Sequence, residues 1–226
     1  MLDGGISSVR EQLVPPGIEG HVTGYRNPNR YNPGAANALL DRFGYQRGPD
    51  GIRRNPDGAA LTVNVLADTS SQARKRAEFT RRMLERLGIR AAFEFVTKAE
   101  NLERMLNCRF GMAIMDYGFE VPDGTNLLII FYDKAIGSMN MSCYADAEFD
   151  AAFAKALTTP PGPARTELSR TMQSRLDAYG PARPLPFGDL LFLERPGVVG
   201  PFGTLDDWLQ LLTLAVDSSA APAPKR

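Results

Sequence analysis

The chain has 226 residues, with 26 Lys and Arg balanced by 26 Asp and Glu, one His and two Cys; 43% of the residues are hydrophobic and 23% charged. At this length it forms one large domain or two small ones and can bury about 70% of its unfolded surface, and its composition excludes the disordered, collagenous and disulfide-dense classes. Zero formal charge supplies no field to draw in nucleic acid or an anionic membrane. The lone histidine, His21, argues against Ser-His-Asp, Cys-His and most zinc chemistry, and in Glu19-Gly-His-Val-Thr-Gly24 it reads as a solvated loop residue. Cys108 and Cys143 form neither a C-x-x-C pair nor a metal knuckle. No nucleophile elbow, phosphate loop, dinucleotide fingerprint or H-E-x-x-H occurs, so no metal or cofactor is expected. Met1 to Ser8 lacks a basic start followed by an apolar stretch, so no secretory signal is expected. The longest clear apolar run, Leu127 to Tyr132, falls far short of the roughly 18 residues of a membrane span. As written, the chain is expected to remain where it is made.

In chain order, residues 1 to 31 are rich in Gly, Pro and Asn and read as an extended leading stretch punctuated by turns. Asn32-Pro33 predicts a helix start, with Ala35, Leu39 and Phe43 at helical spacing up to Gly44. Asp50 to Gly58 reads as two turns around a small hairpin arm, and Leu61 to Ala67 alternates as a strand. A helix capped by Ser70 or Ser71 runs to Leu87 and is closed by Gly88, with Ala73, Ala77, Leu84, Phe79, Met83 and Leu87 on its buried side. Its basic residues Arg74, Lys75, Arg76, Arg81, Arg82 and Arg86 read as a solvated face, with Glu78 four residues ahead of Arg82 and no aromatic platform interleaved for nucleic acid.

Ile89 to Val96 predicts a second strand, Ala99 to Cys108 a helix, and Gly111 to Tyr117 a third strand. Helices are expected over Thr125 to Tyr132, Ala147 to Leu157 and Pro163 to Tyr179, a further strand over Leu185 to Leu193, and a disordered tail over Ser218 to Arg226. Alternating strands and helices imply an α/β layered domain with at least partly parallel pairing.

The ordered set of Pro15-Pro-Gly17, Tyr31-Asn-Pro-Gly-Ala-Ala-Asn-Ala-Leu-Leu-Asp-Arg-Phe-Gly-Tyr45, Asp50-Gly, Asp57-Gly and Leu84-Glu-Arg-Leu-Gly-Ile-Arg90 resembles the carboxy-terminal half of family 5 extracellular solute-binding proteins, the peptide receptors of bacterial ABC importers. Downstream, Asp116-Tyr-Gly-Phe-Glu-Val-Pro-Asp-Gly-Thr-Asn126 is similar to the family's strand-end segment, and Ser138 to Tyr144 with Asp150 to its S-x-N-x-x-x-Y block. The resemblance implies an α/β, periplasmic-binding-protein-like lobe II, with a carboxy-terminal return segment to a lobe I that lies outside this chain. It divides the chain into a leading segment 1–14, the ligand-binding lobe 15–190, a return segment 191–217 carrying Trp208, and a tail 218–226.

The same resemblance implies reversible capture of a peptide or small solute, delivery to an ABC permease and a periplasmic location, without catalysis. Glu120 stands where peptide-binding members pair a carboxylate with the ligand's α-ammonium, and Tyr117 where the family usually has tryptophan. Asp116, Asn140 and Tyr144 complete the expected ligand set. Each has a plainer alternative: Glu120 as a solvated turn residue, Asp123 as a helix cap, Tyr117 as packing, and Asn140 and Tyr144 as loop organisers. In an exported family Cys108 and Cys143 are candidates for a bridge, two buried thiols being the alternative. Two rival functions stay open: a carboxylate hydrolase using Glu120 with Asp116 or Asp123, and an interaction module in which the incomplete lobe docks a protein.

Overall fold

A computed structural model describes residues 11–115, 117, 121–183, 198–199 and 215–216. The expected strand at Leu185 to Leu193, the placement of Trp208 and the tail lie outside these residues, as do Asp116 and Glu120. The described chain has two layers of different character. The first is a three-stranded sheet of order β2-β1-β3, with β1 Thr62–Asp68, β2 Arg90–Val96 and β3 Met112–Ala113. Both pairings are parallel, β1 with β2 from Thr62↔Arg90 to Asp68↔Val96 and β1 with β3 at Val65↔Met112 and Leu66↔Ala113. The third strand is shorter than its apolar run suggests, and β1 itself ends at Asp68, whose Oδ1 accepts from Ser70 N–H at 2.7 Å. Beyond Ala113 one further bond remains, from Ile114 N–H to Leu66 carbonyl.

Helix α1, Pro33–Arg42, is capped by Asn32, and α2, Ser71–Arg86, by Ser70. Only Ala73 and Ala77 of α2 are buried, and Phe79, expected inside, is 46% exposed. Two residues are about 200° of helix rotation, so position 79 leaves the stripe of small residues through which α2 lies on the sheet. Helix α1 likewise buries no residue, and Leu39 and Phe43 are 53% and 66% exposed. It is held instead by Arg53, which is only 2% exposed and donates to Asp41 Oδ1, to Asn37 Oδ1 at 2.7 Å and to the carbonyls of Tyr45 and Leu87. The arm that carries Arg53 consists of the two expected turns, bridged at Arg47↔Arg53 and Arg54↔Ala60.

The basic residues of α2 are a charge-laced surface: Glu78 pairs with Arg82 at 2.9 Å and with Arg81 at 3.6 Å. Aromatic rings do lie beside them, contrary to the sequence reading. Phe93 and Phe95 of β2 are covered by the guanidinium groups of Arg81 and Arg74, 5.1 and 4.6 Å from the ring centres, which occupies the ring faces a base would need.

The second layer is helical: α4 Gly124–Leu128, α5 Ala147–Thr158 and α6 Pro163–Tyr179, with 3-10 turns at Ile129–Phe131 and Asp133–Ala135. Phe131, Phe149, Phe153, Leu128 and Met172 form its core. Leu13 and Val14 belong to the same core, so the packing unit begins before the boundary expected at Pro15. The leading stretch is pinned by polar bonds. Gln12 and Val22 exchange two hydrogen bonds, Leu13 N–H donates to Gln173 Oε1 at 2.9 Å, and Tyr25 and Asn27 both donate to Asp177. His21 is half-buried rather than solvated, its Nδ1–H donating to Val14 carbonyl at 2.9 Å. The residues at 198–199 and 215–216 form a separate antiparallel pair, β4 Val198–Val199 with β5 Ala215–Val216.

Candidate functional site

In open α/β sheets ligands bind beyond the carboxyl ends of the strands, where the loops diverge. The described residues have a cavity of about 270 Å3 in that place. The end of β1 contributes Asp68 and Ser70, the residues after β3 contribute Ile114 and Met115, and α3, Lys98–Leu106, which follows β2, contributes Lys98, Asn101, Leu102 and Met105. Met141 closes it from the helical layer. One side is polar and charged, the other carries three methionines, whose flexible thioethers fit varied apolar shapes.

The electrostatics are set by neighbours on adjacent elements. Hydrogen bonds from Ser70, together with the cations Lys98 and Arg76, hold the Asp68 carboxyl below the usual carboxylate range. Asp68 therefore stays ionised, and it steadies the turn into α2. The N-termini of α2 and α3, capped by Ser70 and Thr97, flank the same cavity and bring the positive ends of two helix dipoles to it.

The floor is fixed covalently. Cys108 and Cys143 are joined by a disulfide with Cα atoms 5.8 Å apart, tying the end of α3 to the loop that carries Met141. Both cysteines have left-handed backbone, with φ of 55° and 57°. The bridge is the covalent tie between the sheet layer and the helical layer among the described residues.

Of the described members of the expected ligand set, Asn140, Tyr144 and Tyr117, none lines the cavity. Asn140 is fully buried, and its amide is used up: Nδ2 donates to the carbonyls of Tyr132 and Tyr144, and Oδ1 accepts from Ser142 N–H, Ser142 Oγ and Cys143 N–H. This is the loop-organising alternative, with no polar atom left for a ligand. Tyr144 packs edge-on against Phe131 and Phe149, its hydroxyl is buried without a partner, and burial pushes its pKa up to about 12. Removing an unpaired buried hydroxyl relieves a desolvation cost, so Tyr144→Phe is expected to raise stability by about 1 kcal/mol in a denaturant melt.

Tyr117 is half-buried against the helical core and donates to Asn126 carbonyl at 3.2 Å, and burial raises its pKa. Asp123 caps α4 by accepting from Thr125 N–H at 2.8 Å and pairs with Arg165 at 2.8 Å. Asp68, Lys98, Asn101 and Met115, which line the cavity, were not among the residues expected from sequence, although the strand-end rule, applied to all three strands instead of the third alone, points to the segments that carry them.

The parallel sheet backed by a helical layer matches the fold of one lobe of periplasmic binding proteins of known structure. The chain belongs to the bacterial extracellular solute-binding proteins, family 5 Middle, whose sequence profile matches residues 3–139. No curated protein sequence matches it. Among solved structures it is similar to the periplasmic binding protein DppA from Helicobacter pylori in complex with the peptide STSA, with TM-score 0.68 and 22% identity, over 80% of this chain and 34% of that one. It is also similar to the oligopeptide-binding protein AppA from Bacillus subtilis in complex with a nonapeptide, with TM-score 0.67 and 19% identity, over 78% of this chain and 36% of that one. A third similar structure is the murein tripeptide binding protein MppA of Escherichia coli, with TM-score 0.65 and 17% identity, over 77% of this chain and 33% of that one. The chain thus spans about a third of the length of the structures it resembles. Among the described residues no helix is long and apolar enough to cross a membrane.

Proposed function

We propose that this chain is part of a solute-binding component of an ABC importer, capturing a peptide or related small solute reversibly and delivering it to a permease, with no covalent step. The observation that carries the reading is the cavity at the carboxyl edge of the parallel sheet, polar along one wall and apolar along the other. A peptide presents both kinds of surface along its length, and a receptor that holds its backbone tolerates many sequences. The solved structures with bound peptides support the same class of ligand. The Cys108–Cys143 bridge supports a periplasmic location, since disulfides persist in oxidising compartments. From its place in the sequence motif, Glu120 is the partner of the ligand's α-ammonium, with Asp116 beside it.

NMR titration of the isotope-labelled chain with a panel of dipeptides and tripeptides tests this reading, because the method reports weak affinities residue by residue. Saturable shifts at Lys98, Asn101 and Met115 are expected. A charge-assisted hydrogen bond is worth roughly 1.5 to 3 kcal/mol, so Glu120→Gln is expected to weaken binding about tenfold to a hundredfold. Unchanged affinity would sink the assignment of Glu120, and release of hydrolysed product instead of stoichiometric saturation would favour the enzyme reading.

A further inference from the structure

Asn101 lies in the first turns of α3 and lines the cavity, yet it is only 6% exposed and its Oδ1 has no hydrogen-bond partner. Native proteins leave few buried acceptors unpaired, because the group loses water and gains nothing. The helix does not explain the residue: the backbone N–H of Asn101 is already bonded to Thr97 carbonyl at 2.8 Å, and the neighbouring Leu102 and Met105 side chains offer no donor. The terminal amide turns about its last bond at small cost, so its oxygen can face the cavity.

The surroundings decide which donor suits that oxygen. Among the described residues the lining carries charges of both signs, Asp68 with Lys98 and Arg76, and two helix N-termini flank it. An acceptor set among charges of both signs suits a neutral N–H, the donor that a peptide main chain repeats along its length. Next to it, Met105, Met115 and Met141 supply an adaptable apolar wall. We propose that Asn101 is a specificity-determining residue that accepts a hydrogen bond from a main-chain amide N–H of a bound peptide, seating the adjoining side chain on the methionine wall. This rests on the peptide-binding reading above and adds a selection rule to it: a site built to bond an N–H discriminates against the ester isostere that lacks it.

The test uses the tripeptide Ala-Met-Ala and its two ester isosteres, each with one amide N–H replaced by oxygen, titrated by NMR into the wild-type chain and into Asn101→Leu. In the wild type one ester is expected to bind about tenfold more weakly than the amide. In Asn101→Leu the amide and that ester are expected to bind equally, with a melting temperature no lower than wild type, because the buried unpaired acceptor is gone. Equal binding of amide and both esters to the wild type overturns the inference, as does a gap that persists in Asn101→Leu. A fall in melting temperature on that substitution marks Asn101 as a structural bond partner and overturns it too. Binding without discrimination leaves the peptide-binding reading standing, whereas no binding of any of the three compounds overturns both.

Discussion

Reducing the Cys108–Cys143 bridge is expected to destabilise the fold by about 4 kcal/mol, because the bridge closes a loop of 35 residues and so restricts the unfolded chain. For a chain of this size that is a fall of roughly 8 to 16 °C in melting temperature. The loss is concentrated where the bridge acts. Met141 and the end of α3 come from different layers, and the sheet-side cluster of Leu66, Val96 and Met105 packs against Met141. Loosening that tie opens the cavity floor, so peptide affinity is expected to fall along with stability. Thermal melts with and without reductant, accompanied by thiol alkylation, check this. Identical melts for oxidised protein and protein with two alkylatable thiols would refute it.

The second large effect is expected at Arg53. Its guanidinium is nearly inaccessible to solvent and bonds α1 through Asn37 and Asp41, the α1 exit through Tyr45 and the end of α2 through Leu87. No apolar side chain of α1 is fully buried, so these bonds, with the weaker ones from Arg47 to Asn37 and to the Arg86 carbonyl, are a main attachment of that helix to the sheet layer. Arg53→Leu leaves several acceptors without a donor and is expected to cost about 3 to 5 kcal/mol. Asp41→Asn should cost far less, because Asp41 is 54% exposed and water replaces what is lost. Denaturant unfolding of both variants separates the two; similar small losses in both would show that α1 is held by something other than Arg53.

The elements with their own punctuation were legible in the sequence. Asn32-Pro33, Ser70 with Gly88, and Pro163 mark helix ends that the structure places within a residue or two, and the parallel pairing follows from the alternation of strand and helix. Burial was less legible because periodicity shows which residues share a face, not whether anything packs there. Leu39 and Phe43 share a face of α1 that meets no core, and Leu13 and Val14, in a segment without periodicity, are core residues. The site was least legible. The resemblance of Ser138 to Tyr144 to a family block pointed to Asn140 and Tyr144, whose side chains bond to a loop and pack under aromatic rings. Asn101 lies in the segment that follows a strand end, a place it shares with its neighbours, and what sets it apart from them is the missing partner of its oxygen.

The bond from Leu13 N–H to Gln173 Oε1 joins residues 160 apart in sequence. Ribosomes add about 5 to 20 residues per second, so Leu13 waits roughly 8 to 30 s for its partner to be made. Throughout that interval Leu13, Val14, Ile18 and Val22, all buried in the finished fold, have no complete surface to cover them. The helical layer is therefore a late assembly, closed only when α6 brings its buried face to the beginning of the chain. A nascent chain of this design stays unfolded long enough to be handed to chaperones or threaded across a membrane, and it is vulnerable to aggregation in the same window.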